Sequence, residues 1–543
     1  MTALPDLAVR GRAARRTAAV GALTGHAVRA FARNPVGAFF TLVFPLAFLV
    51  IVSSIVGGAT TGADVPVTQF LVAPFAVFGV AQASFVLVAV DMAGLRESGV
   101  LLRFRSAPVP AWAVLASRIA AAMVSAGTAV ALLTTVGALG YGVQIVWRKT
   151  PAMVLTLLIG IACCAALGLA LSSLTRTVAA AQSLAQAVLV MLAFVSEVFI
   201  VGATLPRWLD ALGTVFPLKH FALAMAETFD TSPGYGFSPG HLAVLTVWGA
   251  AGMVVARLRF GWQPRGAARP PAAADAARVY RRELSPPVSQ RRSWTAVLSA
   301  QTGHALLGLR RDALAVFFAL VFPAALLALF PAVFGHGLTH GMPMEQYLFA
   351  GMVAYTAALT GYVDMPESVV GARSAGVLKR LRGTPLPFRW YYAGRTAAAL
   401  LISLFAALLL ALVGTAFLGV RLDPARVPAL LLAIVVGSLC FSAIGLALVA
   451  LLPSARSIVA ITLGTLLPLC FASEIFVVGD TPLPGWLTTA ADVFPLRHLL
   501  HAVLAATDPA AGGSGVALGH LAVLIVWTAF ALLVAGRHRD APT

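Results

Sequence analysis

Two stretches of the chain place a carboxylate at the end of a strongly apolar run. One is SEVFIVG at 196–202, which contains Glu197, and the other is SEIFVVG at 473–479, which contains Glu474. A charged side chain at the centre of a membrane helix costs on the order of 2.5 to 3.5 kcal/mol on insertion scales, so its presence predicts a function. Both glutamates are therefore candidate functional groups.

Two kinds of chemistry suit these glutamates. In the first, they attract a cationic, amphipathic small molecule whose charge also meets nearby phenylalanine rings. In the second, each glutamate acts with the serine before it to cap the N-terminus of a re-entrant helix, whose free amides favour an anion. The sequence leaves both open. The residues of the predicted substrate path are Ser196, Glu197, Phe199, Ser473, Glu474 and Phe476, with Phe194 and Phe471 as further rings.

A second pair of stretches carries clustered arginines. GVLLRFRSAPVP (99–110) and GVLKRLRGTPLP (376–387) share glycine, valine, leucine, two arginines and two prolines in one spacing. In the first copy, Leu101 and Phe104 fall on one face of a short helix with arginines on another, and Pro108 ends the helix. Such a helix can dock in a groove of a soluble partner. The alternative is a basic anchor that fixes the topology of the membrane spans.

Histidine and cysteine give weaker signals. His220 and His498 form another matched pair, which we interpret as anchors at the membrane interface. His336 and His340 have a spacing that could bind a metal ion on a helix, but their glycine-rich context argues against such a site. The four cysteines fall inside apolar runs and are predicted to pack rather than to form disulfides. We find no set of nucleophile, acid and base, so the chain is predicted not to be an enzyme.

The composition predicts the elements that must position these residues. Of the 543 residues, 60% are hydrophobic and 11% are charged, whereas a soluble domain has about 45 to 50% apolar and about 25% charged residues. The sequence therefore predicts an all-α integral membrane protein. The formal net charge of +18 fits basic residues gathered at the cytoplasmic ends of membrane spans and requires no nucleic-acid partner.

Twelve apolar runs have a length that suits a bilayer, which takes about 20 residues of helix to cross. Their predicted limits are 37–57, 68–91, 112–137, 151–174, 178–201, 241–258, 314–334, 345–365, 392–419, 427–451, 457–479 and 517–536. The arginines around them put both termini in the cytoplasm. Arg148 with Lys149, and Arg421 with Arg426, would then lie outside, against the general pattern.

The sequence contains an internal repeat, so that its two halves are similar. A shift of 277 to 279 residues superimposes TGHAVRAFARNPVGAFFTLVFP (24–45) on TGHALLGLRRDALAVFFALVFP (302–323), and VFPLKH (215–220) on VFPLRH (493–498). Because each half has an even number of spans, the chain is predicted to form two parallel six-helix repeats. The predicted domains are a cytoplasmic N-terminus with an interfacial helix (1–36), a six-span unit (37–259), a basic cytoplasmic linker (260–298), a second interfacial helix (299–313) and a second six-span unit (314–537).

The order and duplication of these motifs resemble the type 2 ATP-binding-cassette (ABC) transporter permeases. The motifs are the loop after the second span, the Phe-x-Ser stretch followed by Leu-Pro-x-Trp-Leu, and Phe-Pro-Leu. The family includes membrane subunits of bacterial drug and antibiotic exporters of the daunorubicin-resistance type. The resemblance implies that each arginine-rich loop is a coupling helix that contacts an ATPase. The implied coupling residues are Arg96, Glu97, Leu101, Arg103, Phe104, Pro108, Arg373, Leu378, Arg380, Leu381 and Pro385.

The resemblance also implies a location and partners. It places the chain in a bacterial plasma membrane, with the segments 202–225 and 479–503 forming short helices in the outer leaflet. The lysines of the chain are Lys149, Lys219 and Lys379, and none follows glycine in the P-loop pattern that cradles ATP. We therefore expect no cofactor on this chain, with ATP and Mg bound by a separate ATPase in two copies, and membrane lipids around the interfacial helices.

The predicted function is that of the permease subunit of an ATP-driven exporter, which moves a hydrophobic or amphipathic small molecule out of the cell. One alternative is an ion-coupled secondary transporter of the major-facilitator kind, with Asp91 and Asp364 as possible ion-coupling carboxylates. These two residues do not align between the halves, and the loop Gly-x-x-x-Asp-Arg-x-Gly-Arg-Arg of that family is missing. The other alternative is lipid export on the same permease fold.

Overall fold

The computed structural model describes residues 20–56, 65–106, 111–198, 205–261, 293–309, 312–452, 455–476, 483–508, 510 and 512–537. Within these ranges the chain is almost entirely helical, and each half contains ten helices in the same order. One exception to the all-α prediction is a small hairpin, in which β1 (Leu338–Thr339) pairs antiparallel with β2 (Met342–Pro343). The predicted duplication is therefore visible at the level of every described helix.

The first half begins with α1 (20–32), which precedes the first apolar helix. The helices that follow are α2 (35–56), α3 (Thr68–Glu97), α4 (Val100–Ser106), α5 (Ala111–Tyr141), α6 (Thr150–Leu174), α7 (Val178–Val195), α8 (Arg207–Val215), α9 (Pro217–Phe229) and α10 (Pro239–Arg259).

The second half repeats this order. Its helices are α11 (Trp294–Leu309), α12 (313–334), α13 (344–374), α14 (Val377–Arg382), α15 (Phe388–Phe417), α16 (Val427–Leu451), α17 (Ala455–Ala472), α18 (Gly485–Val493), α19 (Pro495–Thr507) and α20 (Leu518–Arg537). The second interfacial helix, predicted at 299–313, thus begins five residues earlier, at Trp294. Most of the predicted linker lies outside the described residues.

Each of the twelve predicted apolar runs lies on one of these helices. Nine helices within the described residues are long and apolar enough to cross a membrane, and α2 and α17 contribute shorter apolar segments, Phe39–Ser54 and Ile461–Ala472. The remaining run lies on α13, which is helical throughout 344–374. The count of twelve spans therefore stays a prediction.

Helices α3 and α13 form the centres of the two halves. In α3 every residue from Leu71 to Ala81 is buried, and in α13 the whole segment Met344–Leu359 is buried. The other helices of each half pack around this centre. Between α6 and α10 the backbones approach closely, because a Cβ added at Gly249 would lie 3.2 Å from the Cα of Cys163. All four cysteines are buried and free, as predicted.

Four helices contain a π-helical turn at equivalent places in the two halves. The turns are Phe39–Val43 in α2, Phe317–Val321 in α12, Gln82–Val86 in α3 and Thr360–Asp364 in α13. In α2 and α12 the turn comes directly before Pro45 and Pro323, which have no N–H for the helical ladder. The wider turn accommodates the missing hydrogen bond.

The two ends of the bundle differ. One end carries α4 and α14 and is named the short-helix end; the other carries α8–α9 and α18–α19 and is named the paired-helix end. At the paired-helix end, Gln69 Nε2 donates to the carbonyl oxygens of Gln144 at 2.9 Å and Phe229 at 2.6 Å. Gln346 makes the equivalent hydrogen bonds to Arg421 and Thr507, at 3.0 and 2.6 Å.

Basic residues also secure this end. Lys149 is buried and its Nζ donates to the carbonyl oxygens of Glu227 and Asp230 at the C-terminus of α9. Arg426 donates to the carbonyl oxygen of Asp508 after α19, at 2.5 Å. Cations are favourable at helix C-termini. These two basic residues therefore have a structural role that explains why they depart from the charge pattern of the sequence.

Candidate functional site

The short helices α4 and α14 follow the central helices through tight turns. Gly99 lies between α3 and α4 with a φ of +72°, and Gly376 lies between α13 and α14 with a φ of +71°. Glycine adopts this left-handed conformation without the steric cost that a Cβ would add. The shared Gly-Val-Leu thus sends the chain from each central helix directly into a short helix.

Helix α4 is amphipathic, as the sequence predicted. Leu101 is 1% exposed and Phe104 packs against the core of the first half, while Leu102 and Arg103 are exposed. Pro108, predicted to end the helix, lies outside the described residues. An arginine therefore projects from the short-helix end on a helix that is anchored by a buried leucine.

Helix α14 presents an equivalent surface. Leu378 and Leu381 pack on a cluster of buried residues beside α13. Arg380 is exposed, and its Nη2 lies 3.3 Å from the carbonyl oxygen of Ala375, to which it donates. Pro385 is exposed in the loop that follows. No residue of α14 is fully buried, so this helix lies closer to the surface than α4.

Arg96 does not have the predicted role of contacting a partner. It is 3% exposed, and its two terminal nitrogens donate to the carbonyl oxygens of Ser172 at 2.6 Å and Thr175 at 2.7 Å. Glu97 is exposed, but its Oε2 accepts from the backbone N–H of Val178 at 2.8 Å. The pair therefore joins the end of α3 to the C-terminus of α6 and the N-terminus of α7, since each helix end offers unsatisfied backbone groups.

The second half lacks one part of this arrangement. Arg373 is half-buried at the position equivalent to Arg96, but Ser374 replaces the glutamate and donates to the carbonyl oxygen of Gly371 in its own helix. The carboxylate that holds α7 therefore has no counterpart at α17. The two short-helix regions are asymmetric in this respect.

The two Ser-Glu pairs lie in turns that follow α7 and α17, not inside membrane-spanning helices as predicted. Glu197 and Glu474 have left-handed φ angles of +61° and +67°. Ser196 and Ser473 are buried, at 1% and 0% exposure. The carboxylates thus stand at the paired-helix end of the bundle.

Glu197 belongs to a cluster of ions in the first half. Lys219 Nζ donates to Glu197 Oε1 at 2.8 Å and also to the carboxylate of Asp210 on α8. Burial acts to lower the pKa of Lys219, but the hydrogen bonds from the two carboxylates outweigh it and raise the pKa above that of free lysine. Lys219 is therefore protonated at neutral pH and compensates the charge of Glu197.

The second half repeats the cluster with arginine. Arg497 Nη2 lies 3.7 Å from Glu474 Oε2, and Arg497 Nε lies 3.1 Å from Asp492 Oδ1. Asp210 and Asp492 are not at equivalent positions in the repeat, but they occupy the same face one turn apart on α8 and α18. The arrangement of glutamate, cation and aspartate is therefore common to both halves.

The structure does not support helix capping by these glutamates. Helices α8, α9, α18 and α19 have no side-chain hydrogen bond at their N-caps, which are Pro206, Phe216, Pro484 and Phe494. The carboxylates are directed instead to the cations of α9 and α19. Glu474 lines a separate small pocket of about 380 Å³.

A large cavity of about 1210 Å³ lies between the two halves. Its wall is mostly apolar, with rings contributed by both halves. The aromatic residues on the wall are Phe31, Phe40, Phe44, Phe48, Phe70, Phe75, Phe78, Phe194, Phe318, Phe322, Phe330, Phe334, Tyr355, Phe471 and Phe476. A space of this size, apolar with few polar groups, has the character of a small-molecule site.

Only some residues of the predicted substrate path line this cavity. Among the described residues, Phe194, Phe471 and Phe476 line the wall, whereas Glu197 and Glu474 do not. Phe199 lies outside the described residues. The aromatic part of the prediction thus coincides with the cavity, while the acidic part lies beyond it, at the paired-helix end.

Aromatic contacts join the halves on two sides of the cavity. The rings of Phe48 and Phe471 are 4.4 Å apart between centroids, in an edge-to-face arrangement. The rings of Phe194 and Phe322 are 5.8 Å apart. Helix α17 thus packs on α2, and α7 packs on α12, as the pseudo-two-fold symmetry of the repeat requires.

Polar groups on the first-half wall of the cavity interact with one another. Gln82 Nε2 donates to Gln186 Oε1 at 3.2 Å. The guanidinium of Arg118 forms an ion pair with the carboxylate of Asp91. Both pairs link α3 to its neighbours, and the charge of Asp91 is compensated within the same wall.

The second-half wall is acidic. Asp312, Asp364 and Glu367 line the cavity. Asp364 is the last residue of the π-helical turn in α13, so its equivalent in α3 is Val86. The two aspartates singled out for ion coupling, Asp91 and Asp364, therefore stand in different surroundings.

The histidines form pairs. His220 Nδ1 is 2.8 Å from His241 Nδ1, and His498 Nδ1 is 2.9 Å from His520 Nδ1. Each pair connects the second of the paired helices to the last helix of its half. His336 hydrogen-bonds to Glu345. Among the described residues, no group of three or more His, Cys, Asp or Glu side chains could hold a metal ion.

Comparison with known families accounts for this arrangement. The family model described as ABC-2 type transporter matches residues 18–229 and again residues 299–507. The chain belongs to the ABC-2 type transporter family. One match lies in each structural repeat and ends before its last helix, so the ABC-2 chain contains two fused permease units, as predicted. No curated protein matches the chain.

Membership of the ABC-2 family identifies the chain as a membrane permease. ABC-2 permeases are multi-pass membrane subunits without an ATPase module of their own, and they normally work with a separate ATPase subunit. The apolar helices of this chain agree with that description. The short helices α4 and α14 are therefore the candidate surface for the ATPase, and the cavity is the candidate substrate site.

Sequence reasoning missed several residues that the structure assigns to this machinery. Lys219 and Arg497 directly precede the paired histidines, but they were not predicted to be partners of the repeated glutamates. The repetition of a cation 22 or 23 residues after the Ser-Glu pair was the signal. Gln82 gave no such signal, because its equivalent in the second half is Thr360.

Proposed function

We propose that this ABC-2 chain is the permease subunit of an ATP-driven exporter that moves a hydrophobic or amphipathic small molecule, of the drug or antibiotic kind, out of a bacterial cell. The observation that carries the proposal is the aromatic cavity of about 1210 Å³ between the halves. It offers apolar and ring surface to one small molecule, and both halves contribute to it. A relative movement of the halves would therefore change its shape.

The mechanism transmits force from the short helices to the cavity. Each short helix follows a central helix after a turn of two residues, and that central helix lines the cavity. In the first half, Arg96 and Glu97 also tie the end of α3 to α6 and α7. An ATPase that pulls on α4 would therefore move α3, α6 and α7 together, and the two halves would rock against each other.

The partner in this proposal is a separate ATPase in two copies, one on α4 and one on α14. ATP and Mg would bind to that subunit, with none on this chain. Both termini would be cytoplasmic, at the short-helix end, and α1 and α11 would lie along the lipid headgroups of the plasma membrane. The exposed Arg103 and Arg380 are the side chains we assign to the ATPase contact.

Reconstitution of the chain in proteoliposomes with its ATPase tests the proposal. The double variant Arg103→Ala with Arg380→Ala is expected to retain fold and substrate binding but to lose transport driven by ATP. The matched control is Arg207→Ala, an exposed arginine on α8 at the opposite end, which should transport normally. Full transport by the double variant would contradict the assignment of these contacts.

A companion measurement separates this function from its alternatives. Transport that follows an imposed proton or sodium gradient without ATP would support the ion-coupled carrier. Movement of fluorescent phospholipid between leaflets, without export of aromatic small molecules, would support lipid export. Native mass spectrometry of the chain gently extracted from its membrane should show two ATPase-sized subunits.

A further inference from the structure

The charges on the cavity wall are distributed unevenly between the halves. On the first-half wall, Asp91 is paired with Arg118. On the second-half wall, Asp364 and Glu367 both line the cavity, and within the described part of the chain neither forms an ion pair. The cavity therefore has an acidic wall on one side, to which α13 contributes two carboxylates and Asp312 a third.

One carboxylate oxygen of Asp364 lacks a hydrogen-bond donor among the described residues. This oxygen, Oδ2, is buried. Asp312 also lines the cavity, but its Oδ1 accepts from the backbone N–H of Ala315 at 3.2 Å, so it caps the start of α12. A buried carboxylate oxygen without a donor is costly. A cation with N–H donors in the cavity would satisfy it.

An independent group on the other half points to the same kind of ligand. Gln82 is 2% exposed and lines the cavity, and its Oε1 has no hydrogen-bond partner among the described residues. Its amide nitrogen donates to Gln186, so the atom without a partner is the oxygen, an acceptor. Gln82 begins the π-helical turn of α3 and Asp364 ends the equivalent turn of α13. Both unsatisfied oxygens require a donor.

We propose that the α13 wall of the cavity is a subsite for a protonated amine, in which the carboxylates of Asp364 and Glu367 bind the charge and the amide oxygen of Gln82 accepts a further N–H. This inference rests on the proposed function and names its substrate class. The ligand is a hydrophobic molecule that carries an amine at one end and an aromatic or aliphatic body at the other.

The positions of the groups also give the ligand an orientation. Glu367 lies near the short-helix end of α13, ten residues before α14, whereas Phe330 and Phe334 end α12 at the opposite end. The amine would face the short-helix end and the apolar body would extend along the phenylalanines. Tyr355, which also lines the cavity, offers a ring face near the charge.

The test measures binding to the full chain in lipid nanodiscs, without ATPase. The probes are a fluorescent aryl-alkyl primary amine, whose ammonium has three N–H donors, and its neutral isostere, in which a methyl group replaces the ammonium. Asp364→Asn with Glu367→Gln is expected to weaken the binding of the amine at least about tenfold and to change the binding of the isostere less than about twofold. Gln82→Leu should weaken the binding of the amine by a smaller factor, with the isostere unaffected.

The control is Asp423→Asn, which removes one negative charge from an exposed residue outside the cavity. It should leave the binding of both probes unchanged. If the double variant does not fold, Glu367→Gln alone serves, because Glu367 is exposed to the cavity and substitution there leaves packing intact. Equal losses for amine and isostere, or no loss for either, would overturn the subsite.

Measurements of binding and of transport distinguish a failure of the subsite from a failure of the proposed function. Amine binding that depends on Asp364 and Glu367, in a chain that does not export the amine when ATPase and ATP are supplied, would refute the proposed function and leave the subsite standing. Export of the amine by a double variant whose binding is unchanged would refute the subsite and leave the exporter standing.

Discussion

At the scale of single residues, the structure explains why two glutamates can stand at the end of apolar helices. Glu197 and Glu474 are each compensated by a long basic side chain from the following helix pair, Lys219 and Arg497. The cost of a charge in a poorly hydrated place falls when a counter-ion and hydrogen bonds are supplied. The glutamates hold the turn after α7 and α17 against the paired helices.

Replacing Lys219 tests this role. Lys219→Met leaves Glu197 and Asp210 without their cation and should destabilise the fold by about 1 to 3 kcal/mol, because both carboxylates keep part of their hydration. Lys219→Arg is the matched control, since the second half already uses arginine at this place. The lowered midpoint of thermal unfolding in detergent reports the loss. An unchanged midpoint for Lys219→Met would show that the cluster contributes little.

A comparison of two arginine variants at the short-helix end distinguishes a residue that stabilises the fold from one assigned to the ATPase contact. Arg96→Ala removes the guanidinium that donates to the carbonyl oxygens of Ser172 and Thr175 in a buried place, which should cost about 1 to 3 kcal/mol. Arg103→Ala removes an exposed side chain and should leave the unfolding midpoint within the error of the measurement. Thermal unfolding of the two variants checks both statements. If Arg103→Ala lost more stability than Arg96→Ala, the assigned roles would be reversed.

The sequence showed where these residues are important but not what they contact. Repetition of Ser-Glu identified both glutamates, because a motif written twice is visible without coordinates. The partner of Arg96 could not be found in the same way, since the acceptors are backbone carbonyls, which have no sequence signature. The exposed face of α4 was predictable, because helical spacing alone separates Leu101 from Arg103.

At the scale of elements, the connection between a central helix and its short helix is the feature that matters most for force transmission. The turn takes two residues, and its last residue is a glycine with a left-handed φ. Helix positions were predictable from apolar runs, but the π-helical turns were not. They arise where a proline removes a backbone donor or where the central helix packs, and hydropathy does not record either condition.

Substitution of Gly376 tests the turn before α14. Gly376→Ala adds a Cβ at a φ of +71° and should cost about 1 to 2 kcal/mol or displace α14. ATP-driven transport in proteoliposomes should fall, while binding of the neutral probe to the cavity is retained. Gly127→Ala is the control, because this glycine is inside α5, does not line the cavity, and has nothing within 4 Å of the added Cβ. Alanine there should be neutral or slightly stabilising.

At the scale of the whole molecule, the two halves meet through rings around a shared cavity. In a membrane, association depends on close packing rather than on the exclusion of water. The contact between Phe48 and Phe471, with ring centroids 4.4 Å apart, is therefore one of the close contacts that hold the halves together.

A double-mutant cycle tests this contact. Residues 1–260 and 293–543, expressed as two chains, should still co-purify. Phe48→Ala and Phe471→Ala should each weaken co-purification, and their coupling energy should be about 0.5 to 1.5 kcal/mol, the value of an edge-to-face aromatic pair. The pair Phe318→Ala and Phe70→Ala, whose residues lie on the cavity wall in separate halves, provides the comparison. Additive effects of Phe48→Ala and Phe471→Ala would contradict a direct contact.

The duplication itself was predictable at this scale, and the cavity was not. Matching motifs 277 to 279 residues apart establish two units in the sequence, and the ABC-2 family model finds the same two units. The polar wall of the cavity includes residues such as Gln82 and Asp364, whose equivalent positions in the other half hold Thr360 and Val86. Comparison of the halves shows what they share and therefore passes over such residues.

The acidic wall of α13 has a consequence for how such a transporter can evolve. A permease assembled from two identical chains must place every wall residue twice, once on each side of its axis. Two copies of Asp364 would then face each other across a poorly hydrated space, where like charges repel strongly. A duplicated gene is free of that constraint. Each copy can mutate alone, so a single substitution on one side can change which molecules the transporter accepts.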